Sequence, residues 1–195
     1  MNVLILGAHG EIARAATTLF LERTDAFLTL YLRNAERLRI RSDRVRVVDG
    51  DVLDLPKLKA AMAGQDVVYA NLAGDLHRQA RVIVEAMHDS GVKRLLFVSS
   101  MGIYGEIPGE TYRRVLDPYR DASQAIEASD LDYTILRPAW LNNRDDIAYG
   151  TTRKGEAFKN AEAAVSRKSV ADLIVKLATT PGLEIRESLG IHKAA

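Results

Sequence analysis

The sequence predicts a doubly wound α/β fold: a mainly parallel sheet of six or so strands, covered by helices on both faces, in a single domain spanning residues 1–195. Three observations carry this expectation. Apolar runs alternate with helical stretches through most of the chain. The runs are continuous rather than alternating, as in strands buried on both faces. A length of 195 residues suits one sizeable core and is short for two. No internal repeat, low-complexity tract or interdomain linker interrupts the pattern.

The elements follow in order. Met1–Leu6 is a continuous apolar strand, and Glu11–Arg23 after it is an amphipathic helix. Ala26–Leu32 is apolar and β-prone, and Arg44–Val48 is a short strand leading into Asp49-Gly50-Asp51-Val52. Leu55–Ala63 reads as a helix with Leu55, Leu58 and Met62 on one face, and Asp66–Leu72 as a β-branched strand. His77–Ser90 is a helix that Gly91 closes in the position where a left-handed residue belongs. Arg94–Ser99 is the next strand, 117–129 a helix, and Leu131–Leu136 another strand running into Arg137-Pro138. Ala163–Ser166 reads as a short edge strand, with Ser169 capping a last helix that extends to about Thr179 and Asp172 completing a capping-box-like start. The longest irregular segments, Met101–Leu116 and Ala139–Asn160, both follow strands. They are therefore expected at the carboxyl edge of the sheet, where α/β proteins bind ligands.

The first 33 residues carry the chemistry. Strand, glycine turn (Gly7-Ala8-His9-Gly10), helix and second strand form the order of a dinucleotide-binding unit. The glycines let backbone N–H groups approach a pyrophosphate, and the helix start at Glu11 and Ile12 faces that anion with open donors and the positive dipole end. An acid at the end of the second strand would bond the ribose hydroxyls of NAD; here that end is Tyr31-Leu32-Arg33-Asn34. Arg33 suits a 2′-phosphate instead, with Arg37 one turn further on, so NADP(H) is favoured over NAD(H). The alternative is a solvated basic face, since Arg39, Arg41, Arg44 and Arg46 follow.

Composition removes other classes. Lys and Arg number 27 against 26 Asp and Glu, a net charge of +1 that gives no reason to expect a nucleic acid or an anionic membrane as partner. There are no cysteines, which excludes disulfides, thiolate metal sites and cysteine nucleophiles. The four histidines have no ligand spacing, so no metal site is expected; His77, His88 and His192 read as solvent-facing or helix-surface residues. With no long apolar run and no basic leader, a cytoplasmic protein is the expectation.

Further motifs resemble a family, the atypical short-chain dehydrogenase/reductases with NmrA-like and biliverdin-reductase-B-like (flavin reductase) members. The resemblance covers nearly the whole chain. The family's G-A-T-G-x-x-G stands here as Gly7-Ala8-His9-Gly10-Glu11-Ile12-Ala13, and Arg33 matches its arginine after the second strand. Asp51-Val52 matches the pair that flanks the adenine, and Asn71-Leu72-Ala73-Gly74 is similar to the loop that lies against the riboses. The stretch from Leu96 to Gly105, with Ser99, Ser100 and Tyr104, looks like F-V-S-S-x-x-x-Y-G. The stretch Leu131–Pro138 looks like the strand that ends beside the nicotinamide. The resemblance implies a Rossmann-type NAD(P)-binding domain with cofactor contacts from these residues, Pro138 included. It also implies a site at Ser100 and Tyr104.

The chain departs from the family in its catalytic motif. Typical members use Tyr-x-x-x-Lys, the lysine lowering the tyrosine pKa. Tyr104, Tyr112, Tyr119, Tyr133 and Tyr149 are followed four residues later by Pro108, Leu116, Ser123, Arg137 and Arg153. Alcohol–ketone, epimerase and dehydratase chemistry is weakened accordingly. A reductase for a flavin, quinone or similar conjugated small-molecule acceptor fits, since such an acceptor draws its proton from solvent. A non-catalytic NmrA-like sensor of NADP(H) with a protein partner fits as well. Of the remaining residues, Tyr104 suits either ring stacking or cover for the sheet edge, and Trp140 either core packing or a roof over the nicotinamide. The polar run Asn142–Asp146 suits a lid or an exposed loop.

Overall fold

In a computed structural model describing residues 1–194, the apolar run at the start becomes β1 (Asn2–Leu6), whose Val3, Leu4, Ile5 and Leu6 are entirely shielded from solvent. The chain continues through α1 (Glu11–Arg23), β2 (Phe27–Leu32), β3 (Val45–Asp49), α2 (Leu55–Met62), β4 (Val67–Ala70) and α3 (Leu76–Ser90). It is completed by β5 (Arg94–Val98), α4 (Asp117–Glu127), β6 (Asp132–Pro138), β7 (Leu141–Asn142), β8 (Tyr149–Arg153), β9 (Val165–Ser166), α5 (Arg167–Thr179) and β10 (Glu187–Lys193). Short 3-10 turns at Ala35–Arg37 and Arg114–Leu116 lie between.

Eight of the described strands form the main sheet in the order β3-β2-β1-β4-β5-β6-β10-β8, all parallel except β8, which runs antiparallel to β10. The strand order reverses between β1 and β4, leaving a crevice at their carboxyl ends. Helices α1 and α5 pack over one face, burying Ala13, Ala16 and Phe20 against Ile174 and Leu177. Helices α2, α3 and α4 cover the other, with Leu58, Ile83, Met87 and Ile126 inward. Burial on both faces explains why the strands read as unbroken apolar runs. The doubly wound α/β expectation holds.

The helix ends follow local chemistry. Asp54 and Asp75 cap α2 and α3 by accepting the N–H of Lys57 and Arg78. Gly91 closes α3 at φ 74°, the left-handed conformation a Cβ disfavours.

Three expectations are corrected. The sheet has eight strands, because β8 and β10 join it; their sequences, YGTTR and ESLGIHK, are too polar and glycine-broken to stand out as apolar runs. Ala163–Ser166 is not an edge strand of that sheet: only Val165–Ser166 is extended, and it pairs with β7 in a separate two-stranded ribbon. The cap of α5 is Ser166 rather than Ser169. Ser166 has the extended φ/ψ of a cap and its hydroxyl accepts the Ser169 N–H at 2.9 Å, while the Ser169 hydroxyl accepts the Ala148 N–H at 3.0 Å.

Candidate functional site

The crevice at the carboxyl ends of β1, β2, β3 and β4 holds a cleft of about 410 Å³. Its floor is the turn after β1. Gly7 sits at φ 74°, its N–H bonded to the Tyr31 carbonyl at 2.9 Å, and the Gly10 N–H closes the turn on the Gly7 carbonyl at 3.0 Å. A side chain is excluded at Gly7, and at Gly10 it is admitted only if the Asn71 side chain moves. A Cβ on Gly7 would lie 2.1 Å from the Asn71 carbonyl oxygen, and one on Gly10 would lie 2.0 Å from Asn71 Nδ2. Gly10 also precedes α1 without a side-chain cap, so the first-turn N–H groups remain open donors.

The rim beyond β2 is basic. Asn34 takes a left-handed conformation (φ 55°, ψ 50°) that turns the chain, and Arg33 and Arg37 line the cleft with side chains 75% and 73% exposed. Arg33 Nη1 lies 3.8 Å from Asp51 Oδ2, a loose contact that a ligand anion can replace. Asp51 is placed by the turn after β3, where its other carboxylate oxygen accepts the Leu53 N–H at 2.9 Å. Behind it the Tyr31 hydroxyl donates to the Asp51 carbonyl at 2.9 Å, and Gly50 leaves room for that ring. Burial, with Asp54, Asp51 and Asp49 nearby, pushes the Tyr31 pKa up to about 12, so the hydroxyl stays a donor.

The opposite wall is the β4–α3 connection, Asn71, Leu72 and Ala73, with Gln79 from α3. Gln79 donates to the Ala73 carbonyl at 3.2 Å, which leaves its buried Oε1 without a partner at the cleft. A glycine cradle, open helix donors, a basic rim and an orphaned acceptor together fit an adenine dinucleotide. The turn would hold the pyrophosphate, Asp51 and Val52 the adenosine, and Asn71–Ala73 with Gln79 the ribose hydroxyls.

Of the residues expected at the site, Gly7, His9, Gly10, Arg33, Asp51, Val52, Leu72 and Ala73 line this one cleft. Gly74 lies just outside its lining, exposed at φ 94°. Ile12 is buried in the core, leaving only its backbone to act, and the Glu11 carboxylate pairs with Arg167 at 2.6 Å. Ser99, Ser100 and Pro138 meet further along the same sheet edge, where the Met101 N–H donates to the Pro138 carbonyl at 3.3 Å. Ser99 is buried with its hydroxyl 3.1 Å from that of Ser123; Ser100 is half-buried and donates to the Met101 carbonyl. Tyr104 lies apart from the cleft lining. Its hydroxyl donates to Glu127 at 2.6 Å and contacts Ser188 at 3.2 Å, and burial together with the Glu127 bond holds its pKa above the ordinary phenol value.

Sequence reasoning missed Tyr31, Gly50 and Gln79 as site residues, and it named Asn71 within the ribose loop without foreseeing its packing over Gly7 and Gly10. Gly50 stood inside Asp-Gly-Asp and so had a local signal; Gln79 had none. His192 is not solvent-facing but buried on β10, edge-on to Phe158. Trp140 is 54% exposed rather than core. Among the described residues there is no cluster of metal-ligating side chains, and no helix is long and apolar enough to cross a membrane.

Comparison with known proteins agrees with this geometry. A family model described as NAD(P)H-binding matches residues 7–181. A Rossmann-fold NAD(P)-binding family protein from Shigella flexneri is 45% identical, with a TM-score of 0.87 over 98% of this chain and 93% of that one. A wide-type short-chain dehydrogenase/reductase from Veillonella parvula, solved in complex with NADP, is 30% identical, with a TM-score of 0.88 over 98% of this chain and 94% of its own. A Bacillus subtilis protein described as an uncharacterized sugar epimerase is 27% identical over 193 residues, 90% of this chain and 86% of that protein. The chain therefore belongs to the NAD(P)H-binding family and carries its Rossmann fold.

Proposed function

We propose that this protein is an NADP(H)-dependent reductase acting on a flat, conjugated small-molecule acceptor such as a flavin or a quinone. The observation that carries the cofactor preference is the rim after β2: two exposed guanidinium groups, Arg33 and Arg37, stand where an NAD-specific site would present a carboxylate. The NADP bound to the Veillonella relative supports the same choice.

When bound, NADPH supplies the hydride, and solvent supplies the accompanying proton to the reduced acceptor. The residues of this chain bind and orient. The backbone N–H groups of His9, Glu11 and Ile12 would hold the pyrophosphate, while Gly7 and Gly10, whose own N–H groups close the turn on the Tyr31 and Gly7 carbonyls, give it room to approach. Arg33 would pair with the 2′-phosphate in place of its loose contact with Asp51, whose carboxylate would then be free for the adenosine. Ser99, Ser100 and Pro138 would border the nicotinamide, and the Ser100 hydroxyl, which donates to the Met101 carbonyl, could still accept a hydrogen bond from ligand. Tyr104 is not assigned a proton-transfer role, because its hydroxyl is committed to Glu127. An epimerase reading, suggested by the Bacillus relative, needs an acid–base pair that neither Tyr104 nor any Tyr-x-x-x-Lys supplies.

Following NADPH absorbance with purified protein and a panel of flavins and quinones tests the reading. Oxidation is expected with at least one acceptor. Tight NADPH binding without oxidation by any of them would overturn the reductase and leave a cofactor sensor in its place.

A further inference from the structure

The segments that follow β5 and β6 meet where the Arg113 guanidinium lies 5.8 Å from the centroid of the Trp140 ring. Trp140 is 54% exposed, an arrangement that leaves a large apolar face in water. Its backbone is nevertheless held on both sides: the Ala139 N–H donates to the Ile191 carbonyl and the Trp140 carbonyl accepts from Val165, each at 2.8 Å. The indole therefore projects from fixed backbone, two residues beyond Pro138, at the sheet edge where Ser100 stands. Arg113 is exposed and has no carboxylate partner among the described residues. An exposed aromatic with an unneutralised guanidinium over it presents two complementary surfaces, one for a flat ring and one for an anion.

We propose that Trp140 and Arg113 form the acceptor platform, the indole stacking on a planar conjugated ring and the guanidinium pairing with an anionic group carried by that acceptor. The chemistry favours a flavin mononucleotide over the uncharged riboflavin. This rests on the reductase reading and names the residues that take its second substrate.

Trp140 is the chain's sole tryptophan, so its emission reports on this position alone. With NADP⁺-loaded protein, flavin mononucleotide is expected to quench that emission saturably, and riboflavin only at higher concentration. In Trp140→Ala, followed by flavin fluorescence, both flavins bind about tenfold more weakly. In Arg113→Gln, flavin mononucleotide falls to the affinity of riboflavin, about five- to tenfold, while riboflavin is unchanged. NADPH affinity, measured by calorimetry, stays at the wild-type value in both variants. The platform is overturned if flavin mononucleotide does not bind, if it binds without changing Trp140 emission, or if Trp140→Ala binds it as tightly as wild type. The reductase reading fails separately. NADPH oxidation with unchanged KM in Trp140→Ala removes the platform alone, whereas wild-type protein that leaves NADPH unoxidised with every flavin and quinone tested removes the reductase.

Discussion

The main-chain carbonyl of Asn71 occupies the space a side chain on Gly7 would need, 2.1 Å from where its Cβ would stand. Gly7 also holds a positive φ of 74°. Gly7→Ala therefore meets a strained backbone and an immovable atom together, and is expected to lose about 2–4 kcal/mol of stability along with cofactor binding. At Gly10 the backbone is ordinary (φ −63°) and the obstacle is the rotatable end of the Asn71 side chain. Gly10→Ala should fold with a cost of about 1 kcal/mol or less while still weakening NADPH binding by filling the approach to the pyrophosphate. Thermal denaturation and calorimetric titration of the two variants separate these effects.

Arg33 touches Asp51 only at 3.8 Å and is largely solvated, so removing it costs the fold little. Arg33→Ala should weaken NADPH binding about 10–100-fold, the range for one lost charge-assisted pair, and leave NADH within about twofold. The NADPH affinity of wild type should also fall with salt more steeply than that of the variant. Equal losses for both cofactors would remove the 2′-phosphate assignment.

Arg137 and Glu106 form a buried ion pair, with side chains 0% and 6% exposed. The carboxylate also accepts the N–H groups of Gly102 and Tyr104, each at 2.9 Å, and the guanidinium donates to Ser188 Oγ at 3.0 Å. The pair thereby ties the segment after β5 to β6 and β10. Glu106→Gln leaves a buried guanidinium without its counter-charge and should cost about 3–5 kcal/mol. The double variant with Arg137→Met should cost less than the sum of the singles, read from urea midpoints at unchanged m.

Much of this architecture was legible because its signals are local. The bounds of α1 follow from the glycine turn before it and the apolar stripe within it, and Arg33 and Asp51 could be named because each ends a recognisable strand. What escaped depends on contacts between distant segments. Asn71 closes over Gly7 and Gly10 from 60 or so residues away, a packing relation no spacing rule encodes. Strand β10 has only Leu189 and Ile191 as bulky apolar residues, yet it is buried because β6 and β8 flank it. Tyr104 draws its partners from α4 and β10, so its hydroxyl's engagement could not be foreseen from the lysine its own motif lacks.

Tyr31 links the fold's alkaline stability to the cofactor cleft. Its ring is buried beside Gly50, its hydroxyl donates to the Asp51 carbonyl, and the folded pKa of about 12 exceeds the ordinary value of 10.0. Above the ordinary value the unfolded chain releases this proton while the folded protein retains it, so the unfolded state binds fewer protons and stability falls as pH rises. The contribution is complete below pH 10.0 and is lost progressively as pH approaches about 12. Tyr69 and Tyr149 are shifted in the same direction by burial and add to the slope. Tyr31→Phe should cost about 1 kcal/mol near neutral pH, from the lost hydrogen bond, and should flatten the decline in melting temperature through the alkaline range. The same variant frees the Asp51 backbone at the adenosine end of the cleft, so a modest loss of NADPH affinity at neutral pH should accompany the altered pH profile. A melting profile parallel to wild type at high pH would show that Tyr31 ionises as it does in water.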